Sequence, residues 1–177
     1  ILPLWIKGQA DFKRKVADLP LNDSLRVLAA ALLGPSDEKE EMFDFSAADS
    51  EIVKKLNNDY RVINPLAKNS PALAVSIYNK DLYKSEVLNE MTPVKKQIVS
   101  LNLNNLPVKD DDLKTISEFS NLRKLYLNYT EVTGVGLKHL SKLQNLQELT
   151  LWKTKVTKAD IKALTISKPE LRIVGGI

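Results

Sequence analysis

The chain has 177 residues, 44% of them apolar, which predicts a soluble globular protein without the roughly 20-residue apolar run of a membrane span. Because cysteine is absent, we expect no disulfide, no thiolate nucleophile or metal ligand, and no haem attached through a CxxCH motif. The net charge of +4 comes from single Lys and Arg residues after residue 97, a pattern more typical of a solvated surface than of a nucleic-acid interface.

The first half of the chain shows no internal period, and its apolar spacing predicts a series of short elements. A helix is predicted over 4–16 and another over 24–33, followed by an exposed acidic connector over 37–41. Ser46 and Asp49 have the spacing of a capping box, which predicts a helix that runs through Leu56.

Two strands and further helical segments complete this half. The strands are predicted over 60–63 and 73–78, where apolar and β-branched residues alternate with others. A helix is predicted over 82–90, and Thr92 with Pro93 marks a new helix start. We expect this last helical segment to cap the repeats that follow.

From residue 98 onward, apolar residues recur every 24 positions, in blocks 98–121, 122–145 and 146–169 with a terminal piece 170–177. The columns in register are Leu101, Leu125, Leu149 and Ile173; Leu103, Leu127 and Leu151; Val108, Val132 and Val156; and Leu113, Leu137 and Ile161. Each block passes from alternating leucines to leucines spaced by three. One strand and one helix per block are therefore predicted.

The helix starts within the blocks carry recognisable caps. Thr157 with Asp160 forms a capping box, and Thr133 occupies the equivalent place one block earlier. The first block has Lys109 there, so we expect Asp110 to act as the cap. A turn position that is often Asn in leucine-rich repeats reads Leu106, Thr130 and Thr154.

The predicted fold class is α/β: a short leucine-rich-repeat solenoid with parallel strands on the concave face and helices on the convex face. A small mixed α/β or mostly helical domain is predicted to precede it. The domain prediction is a helix over 1–20, a linker and capping domain over 21–97, and repeats over 98–177.

The blocks also resemble a known family. The stretch LRKLYLNYTEVTGVGLKHLSKLQN and the block after it have the LxxLxLxxTxVTxxGLxxLxxLxN form of bacterial leucine-rich-repeat proteins. LTLWKTKVT over 149–157, INPLAKNSPALAVSIYNKD over 63–81 and LPLWIKGQADFKRKV over 2–16 are similar to parts of exported c-type cytochromes of planctomycetes and Bacteroidetes that carry repeats after the haem domain. Gln9 departs from the usual spelling of the last stretch.

That resemblance implies that the chain is the part downstream of a haem domain. The helix over 1–20 would then lead out of that domain, and haem c would belong to an upstream domain that this chain does not contain. By resemblance the protein would be exported, to the periplasm or the cell surface. Its partner would be another protein or its own haem domain.

The strand positions between the leucines point away from the helices and are the candidate binding face. They are Ser100, Asn102, Asn104, Lys124, Tyr126, Asn128, Glu148, Thr150 and Trp152. Tyr126 and Trp152 occupy diagonal positions about 7–8 Å apart and could offer one aromatic platform to a peptide or a sugar ring. The competing interpretation is that these aromatics cover a sheet edge or contact the preceding domain.

Other chemical motifs have simpler explanations. Asp110 to Asp112 lack the alternate spacing and glycine of a calcium loop, and acids at a helix start explain them. His139 is the only histidine, is expected to be exposed, and has no partner for a triad or a metal site. Gly134 and Gly136 lack the GxGxxG spacing, and no serine lies in a GxSxG elbow.

The sequence thus predicts no enzyme, no metal site and no cofactor within the chain. The function expected is a non-catalytic leucine-rich-repeat interaction module of an exported bacterial protein, docking another protein. Two alternatives remain open: an accessory portion of a c-type cytochrome that transfers electrons, and a polysaccharide-binding module.

Overall fold

The computed structural model describes residues 43–175, which form a mixed α/β unit. The helices are α1 (Ser50–Leu56), α2 (Glu86–Glu90), α3 (Asp110–Ile116), α4 (Gly134–Leu137) and α5 (Lys158–Ser167), with short 3-10 helices at Thr92–Val94 and Lys138–Lys142. The strands are β1 (Arg61–Pro65), β2 (Leu73–Ile77), β3 (Ile98–Asn102), β4 (Lys124–Tyr126), β5 (Glu148–Thr150) and β6 (Arg172–Val174). The elements predicted over 1–20, 24–33 and 37–41 lie outside the described residues.

All six strands belong to one sheet and follow each other in chain order. The first pair is antiparallel and every later pair is parallel. A parallel neighbour needs a crossover connection, and a helical segment supplies it between each pair of parallel strands. The α/β class predicted from the sequence is confirmed.

The 24-residue period of the sequence is the step from strand to strand. Leu101 pairs with Leu125, which pairs with Leu149, which pairs with Ile173. The leucines of the first three positions are fully buried and join one core with apolar residues of the helices, such as Leu113. Identical side chains therefore stack in columns through the core.

One further unit of a strand and a helix precedes the 24-residue blocks that begin at residue 98. β2 pairs in parallel with β3, with Val75 opposite Leu101, and α2 lies between the two strands in the chain. This step is 26 residues long and includes a register shift after Leu73. The domain boundary predicted between residues 97 and 98 thus lies between two paired strands.

A buried arginine anchors the first part of the sheet. The Arg61 side chain is 2% exposed, and its Nε donates to the carbonyl of Leu56 at 2.7 Å. Its Nη1 reaches the carbonyl of Val87 at 3.3 Å and the carboxylate of Glu90 at 3.0 Å. One side chain therefore ties α1, β1 and α2 together.

Several predicted helix boundaries need correction. The predicted helix start at Ser46 is wrong: Asp49 is the N-cap of α1, and its carboxylate accepts from the Glu51 amide at 2.8 Å. The helix predicted over 82–90 is confirmed only for Glu86–Glu90. The helix predicted from the leucines spaced by three in the second block is α-helical only over Gly134–Leu137 and continues as a 3-10 helix over Lys138–Lys142, which contains Leu140.

The helix caps predicted for the three blocks are confirmed in two cases and wrong in one. Thr133 and Thr157 are the N-caps of α4 and α5, as predicted. In the first block Lys109, not Asp110, is the N-cap position, and its amide donates to Asp112 Oδ2 at 2.8 Å. Asp110 instead accepts from the amide and the hydroxyl of Thr133 in the next block, at 2.8 and 2.7 Å.

The position of the Asp110 carboxylate, which bonds Thr133, explains why residue 136 is a glycine. A Cβ at Gly136 would overlap the Asp110 carboxylate. The Gly134 and Gly136 positions thus serve close packing between neighbouring blocks.

Within residues 43–175, no helix has both the length and the apolar content needed to cross a membrane.

Candidate binding face

The strands bring side chains of different blocks into two rows on the side of the sheet that faces away from the helices. We call this surface the strand face. One row is Ser100, Lys124, Glu148 and Arg172, and the other is Ser76, Asn102, Tyr126, Thr150 and Val174. Six of the nine residues proposed from the sequence lie in these rows.

The first row alternates in charge. Glu148 is directly opposite Lys124 on one side and Arg172 on the other, with Lys124 and Arg172 exposed. None of the ion pairs recorded within residues 43–175 joins these three side chains. They therefore present separate charges, about 4.8 Å apart from strand to strand, to whatever approaches the face.

Tyr126 lies in the second, uncharged row, next to the charged row. Burial raises the pKa of the Tyr126 phenol, the Glu148 carboxylate raises it further, and the Arg172 guanidinium opposes them. The phenol therefore stays protonated and remains a hydrogen-bond donor over the physiological pH range. Its neighbours in register are the amide side chain of Asn102 and the hydroxyl of Thr150.

Thr150 is the one hydroxyl of the face that is nearly removed from solvent. The residue is 7% exposed, and its Oγ1 has no hydrogen-bond partner within the described part of the chain. A buried hydroxyl without a partner costs about 1–3 kcal/mol. Because its Oγ1 is covered, Thr150 contributes packing rather than a hydrogen-bonding group to the strand face.

The remaining three proposed residues lie just beyond the strands. The Oδ1 of Asn104 accepts from the Asn128 amide at 2.8 Å, and the Oδ1 of Asn128 accepts from the Trp152 amide at 2.8 Å. We call this chain of contacts the amide ladder. Asn104 and Asn128 therefore hold one block against the next, because each satisfies a backbone donor in the following turn.

Trp152 differs from the two asparagines in its row. Its side chain is 48% exposed. The ring contact recorded within residues 43–175 joins Phe43 and Phe45, and none joins Trp152 to Tyr126. Trp152 and Tyr126 thus contribute to the surface separately rather than as a stacked pair.

Sequence reasoning overlooked four residues of this region. Ser76 and Arg172 extend the two rows at either end of the predicted set, and Arg172 was readable because it lies 24 positions after Glu148. Tyr129 and Lys153 follow the rows in the turns and have φ angles of 58° and 55°. No sequence pattern signals a positive φ at a tyrosine.

The threonines at the turn position hold the turns closed. Thr130 is buried and donates to the carbonyl of Leu127 at 2.7 Å, and Thr154 donates to the carbonyl of Leu151 at 3.1 Å. Leu106, the third residue of this column, is buried in the core and offers no hydrogen bond. These positions are structural.

The acidic run and the histidine lie away from the strand face. Asp110, Asp111 and Asp112 form the first turn of α3, as predicted. His139 is in the 3-10 helix of the second block and is half-buried rather than exposed as expected, because the short helix lies close to the core. No group of three or more His, Cys, Asp or Glu residues within 43–175 is arranged to hold a metal ion.

A shallow groove lies on the helix side, between α4 and α5. Its volume is about 270 Å³, and its floor is apolar, with Leu137 and Leu164 beneath Lys138 and Asp160. Hydrogen bonds from Thr157 lower the pKa of Asp160, which is already used as the α5 cap. The groove is smaller than the ~300 Å³ at which small-molecule sites begin.

Comparison with known proteins adds no relative. No protein-family model matches the chain, and no curated protein matches it significantly.

Proposed function

We propose that residues 98–177 form a short leucine-rich-repeat solenoid that docks another protein on the strand face and catalyses no reaction. The observation that carries this proposal is the strand face itself. It combines exposed charges and a phenol on strands repeated every 24 residues. Tyr, Trp and Arg are the residues that contribute most to protein interfaces.

The amide ladder and the leucine columns support the solenoid. They repeat the same contact from block to block, so each block presents its outward side chains in register with the next. A surface built in this way grows with the number of blocks and suits an extended partner segment. The sheet spacing of about 4.8 Å sets the distance between successive contact points.

A peptide-display experiment tests the docking proposal. Random 12-residue peptides would be selected on the full 177-residue chain, and the affinity of the recovered peptides would be measured by titration. We expect Tyr126→Ala and Lys124→Ala to weaken binding at least tenfold, because both remove side chains that the strand face presents to solvent. Ile166→Ala is the matched control, since Ile166 is 74% exposed on α5 of the helix side.

Peptides that bind the strand-face variants as well as the parent chain would contradict the proposal. Circular dichroism of each variant separates loss of binding from loss of folding.

Polysaccharide binding is the second candidate, favoured by the 48% exposure of Trp152. The chain has two tryptophans, so a Trp5→Phe background makes Trp152 the sole reporter. A change of Trp152 fluorescence on titration with oligosaccharides, abolished by Tyr126→Ala, would favour this candidate. Unchanged fluorescence up to millimolar sugar would leave protein docking.

The origin of the chain is a proposal that rests on the sequence resemblance. We infer that the module belongs to an exported c-type cytochrome and that haem c is carried by an upstream domain. Reading the frame upstream of Ile1 tests this. A CxxCH motif there would support the inference, and a complete reading frame without one would end it.

A further inference from the structure

One pair of exposed aromatic residues lies beside the strand face, where the chain turns after β4 and β5. Tyr129 is 59% exposed and Trp152 is 48% exposed. The Tyr129 amide donates to the Trp152 carbonyl at 2.7 Å, so the two backbones are adjacent. With Lys153, the residue after Trp152, they form a surface that we call the aromatic rim.

The left-handed conformation of Tyr129 belongs to the turn, since Asn105 and Lys153 have φ angles of 63° and 55° at the equivalent positions of the neighbouring blocks. Its φ of 58° is in the left-handed region, which is unfavourable for a bulky residue. Neither a ring contact nor a hydrogen bond of its hydroxyl is recorded within residues 43–175. The turn, with its backbone hydrogen bond to the next block, therefore imposes this φ, and it leaves the Tyr129 ring on the surface.

The same turn in the previous block shows what the backbone alone prefers. Asn105 occupies the equivalent position with φ 63°, and its amide donates to the Asn128 carbonyl at 2.9 Å. Asparagine tolerates this conformation better than other non-glycine residues. A tyrosine at position 129 thus replaces a residue that fits the turn with one that strains it and exposes an aromatic ring.

The charges around the rim favour an acidic partner. Lys153, Lys155 and Lys158 follow Trp152 and are exposed. Glu131, in the neighbouring turn, lies 3.6 Å from Lys155 and neutralises only that lysine. Lys153 of the rim and Lys158, six residues after Trp152, are then left for carboxylates of a bound segment.

We propose that the aromatic rim is the energetic centre of docking and takes an acidic segment of a partner protein, with an apolar side chain held between Tyr129 and Trp152. The carboxylates of that segment contact Lys153 and Lys158. This inference rests on the proposed docking function and names the chemistry of the partner.

The test uses the display selection described above and one added variant, Tyr129→Asn. The peptides recovered on the full-length chain are expected to be enriched in Asp and Glu over the library. Tyr129→Asn should weaken their binding at least tenfold. The same variant should raise Tm by about 2–4 °C, because asparagine relieves the backbone strain.

Two further measurements complete the experiment. Lys153→Glu should weaken binding at least tenfold at low salt, and the difference from the parent chain should shrink in 0.5 M salt, where a surface charge pair is screened over roughly 4 Å. Tyr129→Phe, which keeps the ring and the strain, should bind within threefold of the parent chain. Ile166→Ala is again the control on the helix side.

Each result has a definite reading. Tyr129→Asn binding within twofold of the parent chain, or a lower Tm for that variant, overturns the inference. So does a set of selected peptides that is not enriched in acidic residues. If binding is lost in Tyr126→Ala but kept in Tyr129→Asn, the result supports docking on the strand face and overturns the proposal that the aromatic rim is its energetic centre. Peptides insensitive to both variants, or none recovered, overturn both proposals.

Discussion

The two parts of the described structure are held together by different means. In residues 98–175 one set of contacts recurs from block to block: a leucine column in the core and the amide ladder in the turns. In residues 43–97 the decisive contacts each occur once. Arg61 joins three elements, and Asn57 covers the outer edge of β1 by bonding both the amide and the carbonyl of Ile63.

That difference sets how each part should respond to mutation. Equivalent contacts exist in the adjacent blocks, so removing one recurring contact leaves the contacts of the neighbouring blocks in place. A single anchor has no copy. Its loss should loosen every element that it joins, and should cost more than the loss of one side chain of the amide ladder.

The largest expected effect is that of Leu125→Ala. Leu125 is fully buried between Leu101 and Leu149, and large-to-small changes at such sites cost about 2–5 kcal/mol. We expect a loss of about 3–5 kcal/mol in the free energy of unfolding, because partners on both sides keep the cavity from collapsing. Urea denaturation measures it.

The matched control for Leu125 is Ile166→Ala on the exposed side of α5, which should stay within about 0.5 kcal/mol of the parent chain. A Leu125→Ala loss below 1 kcal/mol would mean that the column is not a packed core. It would also remove the basis for treating the blocks as structurally equivalent.

Arg61→Met should follow, at about 2–3 kcal/mol. The methionine keeps an apolar stem but leaves the carbonyls of Leu56 and Val87 without donors. Hydrogen exchange should show α1 and α2 losing protection together while the amides of β5 keep theirs. Uniform loss of protection across the sheet would contradict the idea of a local anchor.

Much of the repeat region was predictable because the residues that meet each structural requirement recur in three successive blocks of the sequence. The columns of Leu101, Leu125 and Leu149 gave the strands and their register, and Thr133 and Thr157 gave the helix starts. The unit before residue 98 escaped detection because its step is 26 residues and contains a register shift. A fixed period cannot find a block of another length.

The candidate face was predictable in part for the same reason. Alternation along the strands identified Lys124, Tyr126 and Thr150, which the structure brings side by side. Alternation could not show that Asn104 and Asn128 are used by the backbone of the next block, since a contact between blocks depends on the turn geometry. The same limit hid the left-handed Tyr129.

Asn128→Ala tests the amide ladder, with an expected loss of about 1–2 kcal/mol. The change leaves the Trp152 amide without its acceptor. Asn64→Ala, at an exposed position of β1, is the matched control, and its free energy of unfolding should lie within about 0.5 kcal/mol of that of the parent chain. Equal losses in the two variants would show that the ladder contributes nothing specific.

The smallest effect at neutral pH is expected where the two parts meet. Tyr83 belongs to the first part and Asp112 to α3 of the second, and both are buried. The Tyr83 hydroxyl and Asp112 Oδ1 are both without a hydrogen-bond partner within the described residues. Burial raises the pKa of Tyr83 well above its ordinary value, and the Asp112 carboxylate raises it further.

The raised pKa of Tyr83 makes this junction sensitive to alkaline pH. Below pH ~10 the phenol is protonated in both states, so its contribution is fully present. Above that pH the unfolded chain ionises while the folded one does not, and this group should lower stability by about 1.4 kcal/mol per pH unit. Tyr83→Phe should change stability by less than about 1 kcal/mol at pH 7, because the hydroxyl that it removes has no partner, and should remove that slope, measured by urea denaturation from pH 8 to 11. Tyr78→Phe, at an exposed position, controls for the loss of a phenol, and an unchanged slope in Tyr83→Phe would show that the junction does not depend on this pair.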